Sequence, residues 1–161
     1  MATLKNIRGF TLIELMVTVA VLAIVLSIAI PSFNGILLNS RITTVVNELR
    51  TAIQLARSEA VKRKKTIVLC RAHADFSKCA DSGTDWRAGW LMMYGNEVLK
   101  IWETSPGIEV NGSGSKIEFL GTGMPRDSYT FKVNAQGCSN AVQHIIEINN
   151  IGSIKSRKSS C

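Results

Sequence analysis

The sequence predicts an α+β chain, one long amino-terminal helix followed by an antiparallel sheet. Three observations predict it. An apolar run from Phe10 to Ile30 passes into an apolar periodicity of three- and four-residue steps that lasts to about Lys62, the pattern of a helix. From Thr66 onward, short apolar runs alternate with glycine-containing turns at spacings too close for crossover helices. The 161 residues, less the apolar run and the nine residues before it, leave about 130, enough for one domain with one core.

The apolar run is 21 residues long. At about 1.5 Å per residue it measures about 31 Å as a helix, matching a hydrocarbon core of about 30 Å. Lys5 and Arg8 precede it, a basic flank expected to stay cytoplasmic, so the body should face outward from the membrane. Its only ionisable side chain is Glu14. A carboxylate inside a membrane segment costs about 2.5–3.5 kcal/mol on insertion scales, so a compensating partner is expected. The run is too long for a secretory signal and does not end at an Ala-x-Ala site.

After Pro31 the helical period continues at lower hydropathy. Phe33, Ile36, Leu37, Val45, Leu49, Ile53, Ala56 and Ala60 form one stripe, and Asn39, Arg41, Asn47, Arg50, Gln54 and Arg57 lie opposite. This predicts residues 31–65 as an amphipathic continuation packed on a head formed by residues 66–161. Pro31 removes a backbone donor and, with Gly35, marks a place for the helix to bend or locally melt.

Strands are predicted at Thr66–Arg71, Trp90–Tyr94, Val98–Trp102, Ile108–Val110, Lys116–Leu120, Tyr129–Val133 and Gln143–Asn149. Gly95-Asn96 forms a two-residue hairpin turn between the second and third. Trp86, Trp90 and Trp102 read as core aromatics of short strands, with a stacking platform as the alternative.

Residues Gly9 to Glu14, Gly-Phe-Thr-Leu-Ile-Glu, resemble the leader junction of the type IV pilin family. The resemblance implies residues 1–9 as a leader peptide, cleavage at Gly9/Phe10 and N-methylation of Phe10 by a prepilin peptidase, and 10–30 as the transmembrane and assembly segment. It also implies that Glu14 meets the new amino terminus of a neighbouring subunit. Ala56-Arg57-Ser58-Glu59-Ala60, the cysteine-flanked loop and Trp86–Leu91, with its Gly89-Trp90 strand start, are similar to the GspH/FimT (FimU-like) group of minor pilins and pseudopilins. The implied fold is the type IV pilin fold. The implied work is structural, a minor pilin priming or capping a pilus among other major and minor pilins. Two alternatives accompany it, a FimT-like DNA-binding pilin for transformation and a type II secretion pseudopilin of the GspH type. The implied location is the inner membrane with the head in the periplasm, then a pilus or pseudopilus at the cell surface.

Cys70, Cys79, Cys138 and Cys161 all lie in the exported part, where thiols are normally oxidised. Three pairings are possible. Cys70–Cys79 and Cys138–Cys161 are preferred because each pair sits in its own segment and closes a loop, contributing about 2.7 and 3.4 kcal/mol by chain entropy. The spacings lack the short Cys-x2–4-Cys pair usual for zinc, so no metal is expected.

Net charge is +7, falling to +5 if Lys5 and Arg8 leave with the leader. This suits acidic partners. One basic cluster comprises Arg57, Lys62, Arg63, Lys64, Lys65 and Arg71, which reads first as a solvated helix terminus complementing the dipole. The other comprises Lys155, Arg157 and Lys158, a candidate DNA patch. The FimT resemblance is partial here, because the family's Gly-Arg-x-Arg string appears as Gly152-Ser153-Ile154-Lys155, which lacks the first arginine fork. His73 beside Asp75 and His144 near Glu147 have no nucleophile in a recognisable motif, and Gly121-Thr122-Gly123 leads into Met124-Pro125 rather than a phosphate-binding helix. No catalytic residue and no cofactor are expected.

Overall fold

The computed structural model describes residues 10–138 and 142–160, apart from the side chains of 28–34. The leader expected at 1–9, including Gly9, Lys5 and Arg8, lies outside the described residues. Two compact units divide at Leu37/Leu38.

Helix α1 runs from Leu12 to Arg63. Its assignment is unbroken through Pro31 and Gly35, so the local melting expected there does not occur. In the first unit its large apolar side chains are exposed, from Leu12 at 77% to Leu26 at 47%. Among the described residues no helix is long and apolar enough to cross a membrane. The side chains of 28–30, the end of the expected span, are outside the description.

In the second unit the helix is one wall of a core. Ile42, Val45, Val46, Leu49, Ala52, Ile53, Ala56 and Ala60 are buried, a stripe that repeats every three to four residues. Ile42, Val46 and Ala52 belong to the packed face although they were absent from the expected stripe. Ile36 and Leu37, which were in it, are exposed. The helix ends in a Schellman arrangement, in which Lys65 N–H donates to Ala60 C=O at 3.2 Å and Lys64 N–H to Val61 C=O at 3.3 Å. Lys64 takes the left-handed φ of 52° usually given to glycine.

Among the described residues eight strands follow: β1 Ile67–Arg71, β2 Gly89–Tyr94, β3 Glu97–Glu103, β4 Ile108–Gly112, β5 Lys116–Phe119, β6 Tyr129–Ala135, β7 Val142–Ile148 and β8 Ile154–Ser160. They form two antiparallel four-stranded sheets, β3-β2-β1-β5 and β4-β6-β7-β8. The expected hairpin is present, closing between Tyr94 and Glu97. β8 was not expected as a strand.

Alternation decides which side chains meet the helix. Ile67, Leu69, Trp90, Met92, Ile117 and Phe119 of the first sheet share one core with Ile108, Val110, Phe131, Val133, Ile146 and Ile148 of the second. Each fully buried aliphatic or Phe side chain stabilises by about 1.5–3 kcal/mol. Trp86 is fully buried, edge-on to Phe131 with ring centroids 4.9 Å apart, and its indole N–H donates to Gly114 C=O at 2.8 Å. Trp86 and Trp90 are core residues and form no platform. Gly89 has φ +125°, and a Cβ there would collide with the Trp102 carbonyl of the neighbouring strand.

Candidate functional site

The amino-terminal segment begins with a capping box. Glu14 Oε2 accepts from Thr11 N–H at 2.9 Å and from Thr11 Oγ1–H at 2.9 Å, while Glu14 N–H donates to Thr11 Oγ1 at 3.3 Å. The lone acid of the apolar run therefore has a partner three residues away in its own chain. Thr11 was missed by the sequence reading, although Thr-x-x-Glu ahead of an apolar run is its signature. Phe10, beside it, is 91% exposed.

The first cysteine pair is bonded, with Cys70 and Cys79 Cα atoms 5.6 Å apart. This bridge ties the loop after β1 over the outer face of the first sheet. Beneath it Cys70, Ala72, Leu91 and Met93 form a second small apolar cluster, flanked by Val68, Phe76 and Val98. Cys138 is also disulfide-bonded. Its expected partner, Cys161, lies outside the described residues.

His73 Nδ1 and Asp75 Oδ1 are 2.9 Å apart in this loop. The Ser77 backbone N–H, first, and the His73 ring hold the Asp75 carboxyl well below its ordinary range. Asp75 thus serves as a turn anchor. No group of three or more potential metal ligands occurs among the described residues.

The first basic cluster is largely engaged in the fold. Arg57 Nη1 donates to Gly152 C=O at 3.0 Å, linking the helix to the β7–β8 turn. Glu59 accepts from Arg63 at 2.8 Å and from Lys62 at 3.4 Å, and Arg63 in particular holds the Glu59 carboxyl below its ordinary value. Arg63 also lies over the Tyr94 ring. Arg71 donates to the carbonyls of Asp85 and, at 2.6 Å, Ser82, bracing the loop beyond the disulfide.

The second cluster lies on β8, and its three cations do not share a face. Strand alternation puts Lys155 and Arg157 on one side of the sheet and Lys158 on the other, opposite His144. Arg157 Nη2 donates to Glu147 Oε1 at 3.1 Å. His144 is buried, and burial, assisted by the Lys158 charge, lowers its pKa from the ordinary 6.5. Gly152, which resembled the first residue of a DNA-binding string, has φ +80° in the turn that carries its chain into β8. That turn closes with Gly152 N–H donating to Asn149 C=O at 2.8 Å.

Comparison with known proteins identifies the architecture. The profile of the family described as "Type II transport protein GspH" matches residues 45–152, and that of the prokaryotic N-terminal methylation motif matches residues 4–30. The chain belongs to the GspH family. The two matches bear out the GspH/FimT resemblance read from the sequence. The methylation motif indicates a pilus or membrane-anchored protein. The fold of this GspH-family chain matches the crystal structure of the type IV minor pilin FimU of Pseudomonas aeruginosa strain PAO1, with a TM-score of 0.56 and 19% identity over 71% of this chain and 91% of that one. A fimbrial protein of Pseudomonas aeruginosa is 38% identical over 65 residues, 40% of this chain and 42% of that protein. The type IV major fimbrial protein FimA of Dichelobacter nodosus is 36% identical over 64 residues, 38% and 40% of the two chains. The chain therefore spans about two fifths of the length of the curated relatives it matches.

Proposed function

We propose that this chain is a minor pilin that primes or caps a type IV pilus. The observation that carries the reading is the amino-terminal segment, a motif-bearing helix whose large apolar side chains from Phe10 to Leu26 are 47–91% exposed. Apolar surface on that scale requires cover by lipid or by other helices.

In this reading the segment 10–30 anchors the precursor in the inner membrane, with the head in the periplasm. A prepilin peptidase cuts at Gly9/Phe10 and the new amino terminus is methylated. The released ammonium of Phe10 then meets Glu14 of a neighbouring pilin. Thr11 has a defined part before that exchange. By holding Glu14 through two hydrogen bonds it lowers the cost of keeping the carboxylate in lipid, and it fixes the carboxylate at the helix start where the incoming ammonium arrives. The filament replaces lipid contacts of the exposed residues with helix packing, and the head presents its surface to other minor pilins.

The GspH description of the family supports a second reading, a secretion pseudopilin. Deleting the gene separates them. Loss of surface pili with normal protein export is the expected result, and normal pili with failed export would transfer the role to secretion. Normal pili with failed DNA uptake would instead make it a transformation pilin, a reading that the split of Lys155 and Arg157 from Lys158 does not favour. Cleavage has its own test. Gly9 replaced by Leu should leave full-length precursor in the membrane, and normal processing would remove the leader assignment.

A further inference from the structure

Four strands lie at sheet edges, and two of those edges are already covered. Along β4, Trp86 N–H donates to Val110 C=O at 2.7 Å and Gly112 N–H to Thr84 C=O at 2.8 Å. Along β5, Arg126 N–H donates to Glu118 C=O at 2.9 Å, and Phe119 bridges Pro125. Among the described residues the outer edges of β3 and β8 have no strand partner. β3 has a register irregularity against β2 and a Glu at each end. β8 pairs with β7 over seven consecutive residues without a break, contains no proline and no acid, and carries three cations.

The hairpin fixes which backbone groups of β8 point outward. Asn149 N–H donates to Ser153 C=O at 3.2 Å, so the close hydrogen-bonded pairs continue as 147:155, 145:157 and 143:159. The N–H and C=O groups of Ile154, Ser156, Lys158 and Ser160 then face the open edge. An unpaired row of this kind is a template for another strand. Lys155, Arg157 and Lys158 repel a second β8 and attract acidic side chains. The alternation that prevents the three cations from forming one flat patch suits a strand partner, whose own side chains also alternate between faces. The Arg157–Glu147 pair is exposed on both sides, and such pairs contribute little, so Arg157 is available to a new carboxylate.

We propose that β8 is an acceptor edge for strand addition, receiving an extended acidic segment from a neighbouring pilin head. The inference goes beyond the filament role and is tested on the purified chain, so its failure and that of the priming reading are distinguishable.

The probe is the peptide Thr-Val-Glu-Glu-Val-Glu-Val-Thr, which in antiparallel pairing sets a Glu opposite each of Lys158, Arg157 and Lys155. It is titrated against the full chain in detergent micelles, with amide exchange read by NMR. Binding with new protection at Ser156 and Lys158 is expected. Ser156→Pro removes one outward donor at a position where an edge strand tolerates proline, and it should weaken binding at least tenfold with the melting temperature unchanged. Should that variant misfold, the peptide N-methylated on alternate amides keeps every charge and should lose binding to the parent chain. Four results would overturn the proposal: no peptide binding, equal binding of the methylated peptide, protection on β3 instead of β8, or preferential binding of a duplex DNA oligonucleotide through the same three cations.

Discussion

Leu22 and Leu49 lie on one helix, yet Leu22 is 57% exposed and Leu49 is fully buried. Propensity is the same at both positions and surroundings differ. From Leu38 on, two sheets supply a core for the helix. Before it, among the described residues, the large apolar side chains are exposed. A segment whose large apolar side chains are exposed and a segment packed into a core thus occupy the same secondary structure.

The largest expected effect tests that contrast directly. Leu49→Ala should destabilise the head by about 2–5 kcal/mol, whereas Leu22→Ala should leave its thermal unfolding unchanged. Equal losses would break the division. Next in size is the disulfide. Cys70→Ala with Cys79→Ala should cost about 2.7 kcal/mol from loop entropy, measured by urea unfolding, while membrane extraction stays as in the parent. Arg57→Ala should cost about 1 kcal/mol and loosen the β7–β8 turn, seen as faster amide exchange at Gly152. The smallest effect is a pH dependence inside the head. The folded state lowers the His144 pKa, so the unfolded chain binds the proton more readily. Stability is complete above the ordinary 6.5 and falls as pH drops below it, a slope that His144→Gln should reduce in melts between pH 7.5 and 5.

Much of this division is legible in sequence. Long-period signals carry far, and the helix, seven strands and the Cys70–Cys79 loop all follow from periodicity, turns and spacing. β8 does not, because Lys-Ser-Arg-Lys-Ser-Ser has neither alternation nor β-propensity, and its strand form comes from pairing with β7. The basic patch expected at its cations depended on a compact tail, and one step of strand alternation divided it. Arg57 read as a solvated cation because nothing local shows that a carbonyl 95 residues away receives its hydrogen bond. Thr11 was legible and overlooked, since its partner is only three residues away.

The proposal that the amino-terminal unit completes its packing among the helices of other pilin subunits is tested most directly by a photo-crosslinker at Leu22 in cells assembling filaments, followed by shearing and mass spectrometry. Crosslinks from position 22 to other pilin subunits are expected in the sheared fraction, on a chain that begins with N-methylated Phe10. A chain found only in the membrane fraction, crosslinked to lipid and still beginning at Met1, would contradict it.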